Sequence, residues 1–409
     1  MKAGIYPLEA QKLMAALQKN YTSQLLNARQ AGKKVVWVVG QADTNLVVAM
    51  DYLPFYPENH NTICGIKGES LDNCLTAESH GYCPDLCSYA RNNLGVIFSY
   101  QAKTGIPTLP KPDLLLLNMQ CSTHVKWWET ISRMYDVPIL ALDTPMLHQG
   151  LESDDLQSVT AYVRQQLEEH VTILERLTSK RLDYSRFQEV VQYHSQASRL
   201  FNEVLNCARR IPSPITAFDA FINLGPLMTL RGFPEAASYY KELLREVEDR
   251  VAQGFSAVGE EKHRLYWDNI PIWFQITNLA QEFAQYGACL NVAAYPFVWG
   301  DAFANLDPLD PFESIARSQL SLLLNNSTQW RIEYLIRLAK DFSVDGLIFQ
   351  IAQTCKKYLT DQYAIAFETR KRTNLPSLFI EGDMLDSRLY SDEITKGQIQ
   401  VFMESLDYN

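Results

Sequence analysis

Seven short apolar runs, separated by longer segments of helical periodicity, set the pattern of this 409-residue sequence. Each run is bounded by glycine, proline or polar residues, and its apolar positions are largely continuous. Such runs are typical of strands that are buried on both faces of a parallel sheet, because crossover helices cover both faces. Three of them predict an N-terminal α/β unit: residues 34–39, 113–118 and 138–143.

The other four runs predict a second α/β unit; they cover residues 263–267, 288–293, 345–351 and 375–381. Between the two sets, residues 151–253 show long helical periodicity with charged faces. The predicted fold class is therefore α/β, with two Rossmann-like or flavodoxin-like parallel-sheet domains joined by a helical segment. The corresponding domains are residues 1–150, 151–255 and 256–409.

Charge and hydropathy argue against several classes of partner. The 37 Lys and Arg residues against 47 Asp and Glu residues leave a net charge of −10, which disfavours nucleic-acid binding. No stretch approaches the length of about 18 apolar residues that marks a membrane span, and the N-terminus lacks the apolar segment of a secretory signal. We therefore expect a cytoplasmic protein with no membrane partner. Glycine-rich phosphate motifs are also absent, so ATP use would belong to another protein.

The cysteines carry the clearest chemical signal. Eight cysteines in a reducing compartment are better explained as buried thiols, metal ligands or redox groups than as disulfides. Cys121 and Cys355 each follow an apolar run, at the sheet edge where α/β proteins bind ligands. Cys87 lies near a possible helix start, where backbone N–H groups stabilise a thiolate. Three such thiolates can hold a four-iron four-sulfur (4Fe-4S) cluster and leave one iron open.

A simpler interpretation stays open beside this one. Free cysteine is among the most buried residue types and packs as a small apolar side chain. Cys207 in a helix and Cys289 in a strand fit that interpretation. Cys83 and Cys87 form a C-x3-C pair, but without a second close pair the spacing specifies no metal. An α/β protein with ordinary buried thiols is therefore one alternative.

Several longer segments have a known family pattern, in the family's order. FYPENH lies at residues 55–60, ESHGYCPDLCSYARNNLG at 78–95 and CSTHVKWWETISRMYDVPILALDTP at 121–145. Residues 213–219, 259–273 and 345–391 extend the pattern over nearly the whole chain. In these segments the chain resembles the 2-hydroxyacyl-CoA dehydratase and benzoyl-CoA reductase family, and within it the subunit that carries the substrate cluster.

The resemblance implies the site and the reaction. Cys87, Cys121 and Cys355 match the three cluster ligands, and Glu58 matches an active-site carboxylate that binds or transfers a proton near the substrate. The implied protein is the iron–sulfur catalytic subunit of a (R)-2-hydroxyacyl-CoA dehydratase. In that family an ATP-dependent iron–sulfur activator supplies one electron, the acyl-CoA becomes a ketyl radical, and water leaves by syn-elimination. The implied partner is a homologous second subunit, in a heterodimer.

One position departs from the dehydratase pattern. Gly40 stands where the dehydratases carry a hydroxyl residue, and glycine offers only its backbone N–H to a substrate. A subunit of an aryl-CoA reductase of the benzoyl-CoA type is therefore the first alternative; His124, close to Cys121, could donate protons in either enzyme. A non-catalytic electron-transfer subunit is the second alternative. Clusters that only transfer electrons generally have four protein ligands. This chain offers three cysteines together with Glu58, an acid–base residue, which speaks against that alternative.

Overall fold

The N-terminal half contains a four-stranded parallel sheet. The computed structural model describes residues 6–99 and 109–408. The strands of this sheet are β1 Val35–Val38, β2 Leu53–Phe55, β3 Leu114–Asn118 and β4 Ile139–Leu142. They are ordered β2-β1-β3-β4, and every neighbouring pair is parallel. The helices of this part are α1 Ala10–Leu26, α2 Asn45–Ala49, α3 Pro57–Ile66, α4 Ser70–Ser79, α5 Ser88–Ser99 and α6 Ser122–Tyr135.

Five helices follow before the second sheet begins. They are α7 Leu156–Thr178, α8 Tyr184–Cys207, α9 Ala217–Asn223, α10 Gly225–Thr229 and α11 Pro234–Ala252. They lie where the sequence pattern predicts helices, while the limits of the three domains stay a prediction. None of the helices in the described part of the chain has the length and apolar content that a membrane span requires.

The C-terminal half repeats the parallel sheet with the same strand order. Its strands are β5 His263–Asp268, β6 Ala288–Ala293, β7 Gly346–Ile351 and β8 Ser377–Glu381. They are ordered β6-β5-β7-β8, again with parallel pairs throughout. The accompanying helices are α12 Ile276–Ala284, α13 Ala294–Ala304, α14 Pro311–Leu320, α15 Thr328–Asp341, α16 Lys356–Leu359, α17 Gln362–Thr373 and α18 Asp392–Asp407. The predicted fold class, with two parallel sheets among helices, is confirmed.

Four of the strands predicted from continuous apolar runs are buried along their whole length, as such runs indicate. Every residue of β1, β3, β6 and β7 is buried. Trp37 in β1 and Trp267 in β5 are both fully buried. Strands β4 and β8, at one edge of each sheet, mix buried, intermediate and exposed positions, whereas β2 and β6, at the opposite edges, are fully buried. Strand β2 was missed by the sequence pattern: it has three residues, one of them Pro54.

Each sheet has a point where the chain path reverses direction. From β1 the chain moves outward to β2, and from β3 it moves to β4 on the other side. The second sheet has the same arrangement around β5 and β7. Ligands bind in α/β proteins at the carboxyl ends of such adjacent central strands. Gly40 follows β1, Cys121 follows β3 and Cys355 follows β7, so the predicted site residues lie at these edges.

Candidate active site

One cavity of about 100 Å³ is lined by residues from both halves of the chain. All six residues singled out in the sequence line it, from five separate parts of the chain: Gly40, Glu58, Cys87, Cys121, His124 and Cys355. Tyr89, Tyr295 and Trp299 complete part of the wall. The structure therefore brings the predicted residues together, and their chemical roles stay predictions.

Each of the three cysteines directly precedes a helix. Cys87 is followed by α5, which starts at Ser88. Cys121 is the N-cap residue of α6, and Cys355 is the N-cap residue of α16. Helices α5 and α6, with 12 and 14 residues, present the positive ends of their dipoles near Cys87 and Cys121. Backbone N–H groups at such helix starts interact favourably with negative charge on a neighbouring group.

The thiols also influence one another. Burial raises the pKa of Cys87 well above its usual value, and the negative charges of Cys355 and Cys121 raise it further. Burial likewise raises the pKa of Cys355 to about 12, with a contribution from Cys121. Three thiolates around one cavity repel one another, so all three can be negatively charged only if a cation lies between them. A coordinated metal provides that positive charge.

The donor set fits a cluster better than a single ion. No three His, Cys, Asp or Glu side chains among residues 6–99 and 109–408 converge closely enough to hold one metal ion. A structural zinc site requires four ligands around one ion. A 4Fe-4S cluster instead takes its thiolates on separate irons, so its ligands surround an inorganic core. Three cysteines spread around one cavity suit that second arrangement.

A buried hydrogen-bond chain joins the segments that carry Cys87 and Cys355. The backbone N–H of Ser88 donates to the Thr354 hydroxyl oxygen over 3.1 Å. The Thr354 hydroxyl in turn donates to the carboxylate of Asp383. All three residues are buried, and they belong to the two halves of the chain. Thr354 was missed by sequence reasoning, although its position directly before Cys355 was an available signal.

Glu58 is held between the other two predicted catalytic residues. Its Oε2 accepts a hydrogen bond of 2.6 Å from the Gly40 N–H, and its Oε1 lies 2.8 Å from His124 Nε2. Burial alone lowers the pKa of His124, but the charges of Glu58 and Cys121 and the Glu58 hydrogen bond raise it to about 9. His124 is therefore an imidazolium near neutral pH. The Gly40 N–H, expected to be available to a substrate, already binds Glu58.

Arg231 supports this arrangement from behind. Its guanidinium is fully buried and donates to the Gly40 carbonyl over 2.7 Å and to the Thr44 hydroxyl over 3.2 Å. It also stacks over the rings of Tyr56 and Trp299, 4.7 and 5.3 Å from their centroids. Arg231 thus fixes the loop after β1 and, through it, Gly40. Sequence reasoning missed it, although an arginine inside the apolar segment MTLRGF was a possible signal.

The fold and the site together define a class of protein: an α/β enzyme with two parallel sheets and a cysteine-lined cavity between them. A model of the family "2-hydroxyglutaryl-CoA dehydratase, D-component" matches residues 41–406, and the chain belongs to this family. The family resemblance inferred from the sequence segments is confirmed. So is the conclusion that the chain is an enzyme, because the relatives are dehydratases and a reductase.

Similarity to individual relatives extends over almost the full length. The chain is 29% identical to the (R)-2-hydroxyisocaproyl-CoA dehydratase alpha subunit of Clostridioides difficile, over 98% of this chain and 96% of that protein. We expected a likeness to this subunit from the sequence. It is 27% identical to the (R)-phenyllactyl-CoA dehydratase alpha subunit of Clostridium sporogenes, over 92% and 90%. It is 28% identical to a benzoyl-CoA reductase subunit of Thauera aromatica, over 95% and 92%.

Proposed function

We propose that this chain is the iron–sulfur catalytic subunit of a (R)-2-hydroxyacyl-CoA dehydratase, with a 4Fe-4S cluster ligated by Cys87, Cys121 and Cys355. The observation that supports this most directly is the shared cavity, which joins the three cysteines to the Glu58–His124 pair. Family membership supports the reaction class. When bound, the cluster would supply an open iron for the substrate oxygen and one-electron chemistry.

The side chains around the cavity would handle protons. Loss of water from a 2-hydroxyacyl thioester removes a proton from C3 and adds one to the departing hydroxyl. His124, as an imidazolium, would donate to that hydroxyl, and Glu58 would orient His124 or accept the C3 proton. The aromatic walls of Tyr89, Tyr295 and Trp299 would exclude water from the reacting atoms.

The reaction requires partners that this chain does not supply. We propose an acyl-CoA substrate, a homologous second subunit and an ATP-dependent iron–sulfur activator that delivers the electron. The relatives, each named as one subunit of a dehydratase or reductase, support an enzyme of several subunits. None of the eight cysteines forms a disulfide, which is compatible with the proposed cytoplasmic, reducing location.

One observation favours a second candidate function, that of an aryl-CoA reductase subunit. Position 40 carries no hydroxyl, and the Gly40 N–H is occupied by Glu58, so neither group is free to bind a departing 2-hydroxyl. Ring reduction needs no such contact. The likeness to a benzoyl-CoA reductase is compatible with it. An electron-transfer role is less well supported, because Glu58 and His124 add acid–base groups to the cavity.

Iron content tests the cluster. We expect the anaerobically purified complex with its partner subunit to contain about four irons in this chain, with brown absorbance. Single Cys87→Ala, Cys121→Ala and Cys355→Ala variants should lose the cluster. Cys207→Ala, in α8 outside the cavity, should keep it and serves as the matched control. Full iron content after all three changes would refute the proposed ligands.

Enzyme assays distinguish the dehydratase from the aryl-CoA reductase. The holoenzyme with its activator is assayed for (R)-2-hydroxyacyl-CoA dehydration and, in parallel, for benzoyl-CoA reduction. We expect dehydration, with Glu58→Gln and His124→Gln each lowering kcat at least about tenfold. Reduction without dehydration would establish the second candidate instead.

A further inference from the structure

A second cavity, of about 170 Å³, adjoins the cysteine-lined cavity. The two share Glu58, Tyr89 and Tyr295 in their walls. The second cavity lies among helices α1, α3, α9 and α10 and the segment around Trp273. A molecule whose reactive carbon lies beside Glu58 in the first cavity could therefore extend a side chain into the second.

The walls of this second cavity are mainly apolar and aromatic. They include Ile63, Ile66, Phe221, Ile222, Met228 and Trp273. No lysine, arginine or histidine occurs among the described residues of the lining, and Glu58 is its one carboxylate. A carboxylate on the bound molecule would lose its hydration without gaining a cationic partner, and it would lie near the charge of Glu58.

The cavity has a preformed aromatic wall. Trp273 donates from its indole N–H to the Tyr89 hydroxyl over 2.5 Å. Phe221 packs edge-on against Trp273, with ring centroids 6.5 Å apart and planes at 76°. These contacts hold the rings apart, so the space between them is not closed by collapse of the side chains.

We propose that this cavity binds the acyl side chain of the CoA thioester and selects an uncharged, apolar side chain of about the size of one six-membered ring. The inference rests on the proposed function, since it assigns the acyl group of that same substrate. The size follows from the cavity volume of about 170 Å³, because a dry apolar cavity of roughly 150 Å³ holds benzene. The preference for an uncharged side chain follows because the described lining contains no basic group to pair with a carboxylate.

Gly225 offers a way to reduce the space without disturbing the fold. A Cβ at this position would lie 3.5 Å from Gln18 Nε2 and 3.5 Å from Met14 Sδ, both ordinary van der Waals distances. Gln18 and Met14 line the cavity themselves, so an added side chain points into it. We expect Gly225→Leu to weaken binding of a bulky acyl group while leaving binding of a short one unchanged.

Ile66 offers a way to change the charge. It lies at the cavity wall and is 51% exposed, so an arginine there keeps its guanidinium hydrated. Ile66→Arg should increase the affinity for a carboxylate-bearing acyl group. Leu75 in α4 is 43% exposed and does not line the cavity, which makes Leu75→Arg the matched control.

Calorimetric binding to the complex, without activator, tests the inference, because the probes lack a 2-hydroxyl and cannot react. The probes are 4-methylpentanoyl-CoA, 3-phenylpropanoyl-CoA, glutaryl-CoA and acetyl-CoA. We expect the first two to bind at least about tenfold more tightly than the last two. Ile66→Arg should reduce the difference in affinity between the apolar thioesters and glutaryl-CoA. Gly225→Leu should reduce the difference in affinity between the apolar thioesters and acetyl-CoA. Thermal denaturation verifies that the variants are folded.

The outcomes separate the two proposals. If none of the four thioesters binds, the proposed function itself is wrong. If glutaryl-CoA or acetyl-CoA binds as tightly as the apolar thioesters, the acyl-site inference is wrong while the proposed function stands. The same holds if both variants keep the wild-type order of affinities.

Discussion

The Glu58 side chain contacts two other residues of the active-site cavity. It contacts the Gly40 N–H on one carboxylate oxygen and His124 on the other. It also forms part of both cavities. It lies in the first turn of α3, where the positive end of the helix dipole interacts favourably with acidic side chains. Proton handling and acyl-group placement would therefore both depend on the geometry of this one side chain.

Gly40→Ala tests that geometry. A Cβ on Gly40 would overlap Oε2 of Glu58, so the carboxylate would have to leave the Gly40 N–H and lose its alignment with His124. We expect kcat/KM to fall at least about tenfold, equivalent to about 1.4 kcal/mol, with little change in melting temperature. Steady-state kinetics of the activated complex measure it.

Gly397→Ala is the control for this substitution. Gly397 is in α18, and a Cβ there would meet no atom within 4 Å. Its kinetics should match the wild type. Unchanged kinetics in Gly40→Ala as well would show that the bond between Gly40 and Glu58 has no role in the reaction.

Among the helices, α5 positions one of the proposed cluster ligands, because it begins directly after Cys87. It packs closely on α4 where Gly95 faces the backbone of Asn73. A Cβ on Gly95 would overlap the Asn73 carbonyl oxygen, and a backbone atom cannot move aside as a side chain can. The position therefore requires glycine for close helix packing.

We expect Gly95→Ala to lower the free energy of unfolding by about 3 kcal/mol, near the upper end of the cost of overpacking. The variant should also lose iron, because displacement of α5 moves Cys87. Urea denaturation and iron analysis measure the two effects. Gly397→Ala should instead gain up to about 1 kcal/mol from helix propensity. Equal stability of the two variants would contradict the close-packing argument.

Helix α8 contains a histidine whose protonation opposes folding. His194 is fully buried, with Nδ1 3.2 Å from the Asn45 amide oxygen and its ring stacked 4.7 Å from Phe303. Burial, and then the charge of Arg231, lower the pKa of His194 well below its ordinary value of 6.5. The folded protein therefore keeps this ring neutral, while the unfolded chain takes up a proton below pH 6.5.

This difference predicts a pH dependence of stability. Because the unfolded state binds the additional proton, the contribution of His194 is present above about pH 6.5 and is lost as the pH falls, by up to about 1.4 kcal/mol per pH unit. We expect His194→Gln to have a shallower dependence of unfolding free energy on pH between 7 and 5 than the wild type. His148→Gln, at an exposed position, should keep the wild-type slope. Parallel slopes in all three proteins would be inconsistent with this role.

At the scale of the whole molecule, a buried ion pair joins the two halves. Arg91 of α5 lies 2.8 Å from Asp386, which follows β8, and both side chains are at most 1% exposed. Glu78 and Arg388 extend the network towards the surface. Burial alone raises the pKa of Asp386, but hydrogen bonds from Arg388 and Arg91 lower it to about 2. The carboxylate is therefore charged in the folded state and depends on its cations.

Removing Arg91 should destabilise the assembly of the two halves. We expect Arg91→Met to lower the unfolding free energy by about 3 kcal/mol, the lower end for a broken buried pair, because Arg388 still contacts Asp386. Arg91→Met with Asp386→Leu should recover part of this loss. Arg372→Met breaks a pair that is 39% and 51% exposed and should cost at most about 1 kcal/mol. Denaturant titration measures the unfolding free energy of each variant. A similar decrease for Arg91→Met and Arg372→Met would argue against a special role for the buried pair.

Seven of the eight strands in the described residues were predicted from continuous apolar runs, and β2 was not. The runs that form β1, β3 and β7 could be identified because strands buried on both faces are almost continuously apolar, with Asn118 and Gln350 as buried polar exceptions. Strand β2 could not, since its three residues become a strand only by pairing with Val35, Val36 and Trp37 of β1. The predicted site residues were found from cysteine placement and family-like segments.

The sequence by itself determined the fold class, the family and six of the residues that line the cavity, because apolar runs and residue types can be read within each segment. The tertiary structure alone decided how those residues are engaged. Arg231 binds the carbonyl of Gly40, 191 residues away, and Gly40 turns its N–H to Glu58. The second cavity, of about 170 Å³, likewise forms among helices that are distant in the chain. Such contacts depend on three-dimensional packing between segments, which local composition does not encode.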